Sequence, residues 1–145
     1  SWDSLYEICR KTDLIYYDIK LLDSELHRKF TGMSNDVILR NLRRLSENRE
    51  AVGEIVVRIP CIPGINDHKE QIEQTARFVS ELKLSFLELL PYNEAAGAKY
   101  MWLFQDYSLQ KLHTRKKEYY EELQKYVSQF GLLPYGLGHG RRKEK

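Results

Sequence analysis

Three apolar runs, each stopping abruptly at polar or punctuating residues, constrain this chain more than any other feature. They are Leu14-Ile-Tyr-Tyr-Asp-Ile-Lys20, Ile55-Val-Val-Arg-Ile-Pro-Cys-Ile-Pro-Gly64 and Phe86-Leu-Glu-Leu-Leu-Pro-Tyr-Asn93, with helical patterns between them. Strands that alternate with helices predict a parallel sheet joined by crossovers. Parallel strands bring their C-terminal ends to one face, and in (β/α) barrels that face carries the chemistry. Asp18, Lys20, Arg58 and Asn93 would then converge from three strand ends on a shared mouth.

The helical patterns follow from spacing. Apolar residues at 2, 5, 6 and 9 form an i, i+3, i+4, i+7 stripe over Trp2 to Arg10. Asp23 to Thr31 reads as a short helical turn closed by Gly32. Ser34 or Asn35 then caps a longer helix whose Ile38, Leu42 and Leu45 share a face. The second strand, Glu54–Pro60, is almost continuous Val and Ile, as expected of a strand buried on both faces. Pro63-Gly64 is a turn, and Asp67 with Glu70 resembles a capping box for a helix to about Leu82, with Ile72, Ala76 and Val79 inward. The third strand is Ser85–Leu90. Residues 92–107 show no period, and a final helix is expected from about Ser108 to Phe130, ending at Gly131. The order is α-β-α-β-α-β-α: an α/β fold with about three parallel strands. A full barrel needs eight strands and an open doubly wound sheet usually five or six, so residues 1–132 are expected to be an incomplete object such as a partial (β/α) barrel fragment, with 133–145 as a flexible basic tail.

Composition narrows the classes. Among 145 residues, 23 basic and 21 acidic side chains are well mixed, which argues against a nucleic-acid binder with a concentrated basic face. The basic cluster Arg141-Arg-Lys-Glu-Lys145 is a solvated terminus. No run approaches the ~20 apolar residues of a membrane span. Two cysteines, Cys9 and Cys61, make no disulfide framework and match no ligand spacing, so a reducing, cytoplasmic setting is expected. Cys9 reads as a buried hydrophobe, and Cys61 lacks a neighbouring base that would activate it. His27, His68, His113 and His139 form no metal constellation.

The polar strand ends admit two accounts each. Asp18 and Lys20 are two apart and share a side of the strand, so they either pair with one another or present a carboxylate and an ammonium to a zwitterion. Arg58 interrupts a buried strand and needs an anion, either a bound carboxylate or a glutamate such as Glu54 or Glu88. Asn93 either makes an Asx turn or offers an amide to an adenine or ribose edge. Tyr92 either packs ordinarily or stacks on a ring.

Tyr17-Asp-Ile-Lys20, Phe30-Thr-Gly-Met-Ser-Asn35, Arg58-Ile-Pro-Cys-Ile-Pro-Gly-Ile-Asn-Asp67 and Glu88-Leu-Leu-Pro-Tyr-Asn93, followed by Gly97 and Lys99-Tyr100, occur in that order. This succession, from about residue 2 to 132, resembles the activating enzymes of glycyl-radical enzymes, the pyruvate formate-lyase activating enzyme family of the radical S-adenosylmethionine superfamily. The resemblance implies a six-stranded partial barrel, of which this chain would be the second half. It implies S-adenosylmethionine and a [4Fe–4S] cluster as cofactors, a glycyl-radical enzyme as protein substrate and an electron donor as partner. Reductive cleavage of S-adenosylmethionine would yield a 5′-deoxyadenosyl radical that takes hydrogen from a glycine of the partner. It also implies that Asp18, Lys20, Arg58 and Asn93 hold the cofactor, and that Tyr92, Gly97, Lys99 and Tyr100 line the partner-docking channel.

The chain departs from the family at the cluster. The family's C-x3-C-x2-C triplet is absent, and two distant cysteines cannot replace it. The isolated chain is therefore expected to be inactive. A non-catalytic half-barrel that docks a partner or dimerises is the alternative, since exposed sheet edges invite self-association. A half-barrel enzyme for a phosphorylated metabolite is a third reading, weakened by the lack of a glycine-rich phosphate cradle.

Overall fold

The computed structural model describes residues 1–93 and 112–135. Its elements, in order, are α1 (Trp2–Cys9), β1 (Leu14–Asp18), α2 (Ser24–Thr31), α3 (Asp36–Glu47), β2 (Glu54–Pro60), α4 (Lys69–Glu81), β3 (Phe86–Leu90) and α5 (Lys117–Ser128). The three strands form one parallel sheet in the order β1-β2-β3, not closed into a barrel. The alternation expected from the sequence is the one that forms.

Pleating divides the sheet into two unlike faces, because successive side chains point to opposite sides. Ile15, Tyr17, Ile55, Val57, Ile59, Leu87 and Leu89 turn to one side and meet Cys9 of α1, Leu42 and Leu45 of α3, Ile72, Ala76 and Val79 of α4, and Leu123 and Val127 of α5. Those helical residues recur at three- and four-residue spacing, so one stripe of each helix is buried. The other face carries Tyr16, Asp18, Val56, Arg58, Phe86 and Glu88. No helix among the described residues covers it.

Local chemistry fixes the boundaries. Asp23 caps α2 by accepting the Leu26 N–H at 2.7 Å, and Gly32, at φ 79°, ends the helix with its N–H on the Arg28 carbonyl. Gly53 is required by proximity: a Cβ there would lie 2.0 Å from the Thr12 carbonyl oxygen. That contact seats the entry of β2 on the turn between α1 and β1.

Three sequence expectations need correction. Asn35 stands at the N-cap of α3 but does not cap it with its side chain; its Nδ2 reaches back to the carbonyls of Leu21 and Leu22, both at 2.8 Å. Asp67 is not the cap of α4, which His68 occupies without a side-chain cap bond. The fully buried Asp67 carboxylate instead accepts the Gly64 N–H and the Arg115 Nε–H, each at 2.8 Å. The last helix spans Lys117–Ser128; residues 112–116 before it form no helix, with Arg115 held in that clasp, and residues 108–111 of the expected span lie outside the described residues.

The border of β3 is closed by unlike groups. The Leu87 N–H donates to the Leu133 carbonyl at 3.0 Å, and the Leu133 N–H to the Ser85 carbonyl at 2.9 Å. One step further, the Gln124 amide of α5 takes both roles of an absent strand. Its Nε2 donates to the Leu87 carbonyl at 2.9 Å, and its Oε1 accepts the Leu89 N–H at 3.3 Å. Leu133 thereby bridges to Phe86 of β3, while residues 136–145 of the expected tail lie outside the described residues.

Candidate functional site

The face that no described helix covers is built in rungs. Tyr16, Val56 and Phe86 stand in register across the three strands, and Asp18, Arg58 and Glu88 form the next rung toward the C-terminal ends. Tyr135 lies edge-on to both Tyr16 and Phe86, at ring distances of 6.4 and 5.1 Å. Val56, on the same face, is completely buried beside these rings. The lower rung is an aromatic floor, and the upper rung is acid, base, acid.

Arg58 is the centre of the upper rung. Its Nε donates to Asp18 Oδ1 at 2.8 Å, and its guanidinium lies 4.6 Å from the centre of the Tyr16 ring. The sequence reading offered Lys20 as partner for Asp18 and Glu54 or Glu88 as partner for Arg58. The actual partner is set by strand register, which no single stretch of sequence displays. Both side chains remain partly open, 29% exposed for Arg58 and 38% for Asp18. On the far side, burial pushes the Glu88 carboxyl above its usual range, against the opposing pull of the Tyr135 N–H that it accepts and of nearby Arg58.

Of the four predicted cofactor residues, Asp18 and Arg58 are brought into contact. Lys20 lies beyond the end of β1 and is exposed, lining a cleft of about 230 Å³ with Asp23, Asn66 and Gln71. Asn93 is exposed three residues past β3, and half-buried Tyr92 precedes it. Gly97, Lys99 and Tyr100 fall outside the described residues. A larger cleft, about 420 Å³, lies between Pro91, Arg115 and Tyr120 and contains none of the candidates.

Asn66 is a residue the sequence reading passed over. It is buried, accepts the Ile62 N–H at 2.6 Å, and donates to the Lys20 carbonyl at 2.8 Å and the Pro60 carbonyl at 2.9 Å. It ties the end of β1 to the end of β2 and so fixes the mouth's geometry. Its position inside Ile-Pro-Gly-Ile-Asn-Asp was visible; its three partners were not.

The residues present do not fit an iron–sulfur cluster. Cys9 and Cys61 are both buried, on separate elements. Burial holds the Cys61 thiol up at about 12, with the Asp67 carboxylate adding to the effect, and its Sγ–H donates to the Ile59 carbonyl. Among the described residues no group of three His, Cys, Asp or Glu side chains is placed to hold a metal ion. His27, also buried, is bonded through Nδ1 to the Met33 carbonyl and the Thr31 hydroxyl. Among the described residues no helix is long and apolar enough to cross a membrane.

No family model matches the chain. It is 35% identical over 137 residues to the (2S)-3-sulfopropanediol dehydratase activating enzyme of Klebsiella oxytoca, covering 90% of this chain and 42% of that protein. It is 41% identical over 103 residues to the isethionate sulfite-lyase activating enzyme of Oleidesulfovibrio alaskensis, covering 71% and 33%. It is 33% identical over 132 residues to the pyruvate formate-lyase-activating enzyme of Staphylococcus epidermidis, covering 90% and 51%. The homologues of this chain are glycyl-radical-enzyme activating enzymes.

Among solved structures, a domain of pyruvate-formate lyase-activating enzyme from Bacteroides vulgatus superposes with a TM-score of 0.70 at 26% identity, covering 91% of this chain and 71% of that one. Streptococcus suis SuiB, solved with its precursor peptide SuiA, shares the fold at a TM-score of 0.61 and 17% identity. The chain spans between a third and a half of the curated activating enzymes named above.

Proposed function

We propose that this chain forms one wall of the S-adenosylmethionine site of a glycyl-radical-enzyme activase, together with part of the surface that receives the protein substrate. The observation that supports it is the Asp18–Arg58 pair, partly solvent-accessible toward the C-terminal ends of parallel strands, on the sheet face that no described helix covers, in a chain whose homologues are activating enzymes. A zwitterion can replace such a pair group for group: the methionine carboxylate on the Arg58 fork, the methionine ammonium on Asp18. Lys20 supplies a second cation at the rim, and the Asn93 amide a donor and an acceptor for the adenosine end. Tyr92, with Gly97, Lys99 and Tyr100, would flank the approach of the partner's glycine loop.

The chemistry of the whole protein, hydrogen abstraction from that glycine, would be supplied by S-adenosylmethionine with a [4Fe–4S] cluster and an external electron donor. Two buried cysteines are too few thiolates for that cluster, so the chain alone would bind and orient without reacting. Anaerobic reconstitution of the chain with iron and sulfide tests this. The expected result is no cluster absorption in the visible; a stable brown species with cluster-type bands refutes it. Calorimetric titration with S-adenosylmethionine tests the wall itself. Millimolar-range binding abolished by Asp18→Asn with Arg58→Gln is expected, and heats unchanged by that double substitution count against the site.

A further inference from the structure

Arg58 stands between two carboxylates, one on each neighbouring strand. Register places Asp18 of β1 and Glu88 of β3 on either side of it, on the same face, with adjacent strands about 4.8 Å apart. In the ligand-free arrangement the Arg58 Nε is bonded to Asp18, and the flat face of the guanidinium rests near the Tyr16 ring. Glu88 is the unclaimed end of the rung as far as Arg58 is concerned. It is held instead by the Tyr135 backbone N–H, which fixes it at the border of the aromatic floor. Burial raises its proton affinity, and Arg58 already lowers it in part.

From this geometry we infer that Glu88 is a positioning residue that acts through Arg58: when Asp18 is occupied, the guanidinium turns from Asp18 toward Glu88. The inference rests on the proposed site insofar as S-adenosylmethionine is what occupies Asp18. The physical driving force is simple. A ligand ammonium neutralises the Asp18 carboxylate and weakens its hold on Arg58. The Nε edge freed from Asp18 then finds its next anion one strand away, while the other edge of the guanidinium takes the ligand carboxylate. Glu88 thereby keeps Arg58 at the mouth in the orientation from which its second edge meets the ligand carboxylate. Without Glu88, the released guanidinium swings to solvent, and the fork must be reordered at each binding event.

The rung can be tested without any cofactor, because Asp18→Asn imitates an Asp18 whose charge is already neutralised. Carbon-13 carboxyl titration by NMR reads the Glu88 pKa in four chains: wild type, Asp18→Asn, Arg58→Gln and the double variant. Loss of the Asp18 charge lowers the Glu88 pKa somewhat in every background by simple repulsion, so the cycle subtracts that effect. Among the described residues, Glu88 faces Arg58 on β2 and the Tyr135 N–H, with Asp18 of β1 beyond Arg58 in the same rung, and the two charged side chains are the ones varied. The expected result is a fall on Asp18→Asn larger by about one pH unit when Arg58 is present than when it is Gln. Equal falls in the two backgrounds overturn the inference.

Should the double variant not fold, the Arg58 Nε–H resonance in wild type against Glu88→Gln, each titrated with S-adenosylmethionine, gives a second reading. Retained protection of that proton in the bound wild type and its loss in bound Glu88→Gln is expected; identical behaviour overturns the inference. A wild-type chain that binds no S-adenosylmethionine at all refutes the proposed function, while the cofactor-free cycle still decides the rung.

Discussion

Cys61 shows how a residue's surroundings decide its chemistry. Sequence placed it just past a strand, where a reactive thiol can sit, but gave it no partner base. Burial holds that thiol up at about 12, so the thiolate is scarce at pH 8. Native chain should therefore resist 5,5′-dithiobis(2-nitrobenzoate) at pH 8, with both thiols appearing only at the rate of unfolding; a rapid stoichiometric burst would contradict this. Glu88 illustrates the opposite sign from the usual surface carboxylate. Because its folded-state pKa is raised, its ionised form costs the fold stability above the ordinary carboxyl range, and protonation removes that cost. Glu88→Gln should raise Tm at pH 7 by no more than a few degrees. The gain should vanish below about pH 4, where wild-type Glu88 is neutral in both states. Scanning calorimetry across pH 3–8 checks the crossover.

Strands were the more legible elements and helix ends the less. Val and Ile density marked Glu54–Pro60, and that is where β2 lies. Ile72, Ala76 and Val79 were readable as an inward stripe, because burial follows period directly. Asp67 was misread because Asp three residues before Glu is a local cue, while its true partner, Arg115, is 48 residues away. The same holds for α5, which starts at Lys117, two residues past Arg115 of that clasp. Gln124 belongs to this group as well: nothing in a helical glutamine announces that it will complete a strand. Gln124→Ala should leave the Leu87 amide protected, since Leu133 still accepts it, and should speed hydrogen exchange at Leu89 by about tenfold or more. Equal protection at Leu89 in both chains would show that the side chain contributes nothing there.

At the scale of the whole molecule, fold class and the polar strand ends could be read from the sequence, and a convergent site only in part. Same-face placement of Asp18, Arg58 and Glu88 follows from pleating, but their order across the sheet depends on register, which arises from packing far from any of them. The resemblance to activating enzymes was carried by several weak motifs in order, and the homologues bear it out.

The two lateral borders of the sheet are finished differently. Along β3, Leu133 and the Gln124 amide satisfy the backbone. Along β1, the Asp13 carbonyl and the Ile19 N–H are spent on β2, so alternation aims those of Leu14, Tyr16 and Asp18 outward, with no strand beside them among the described residues. A sheet with one such border has a direction of growth. Among the described residues, the β1 border is the one that offers a full row of backbone groups to a further strand, so growth of the sheet is favoured on that side.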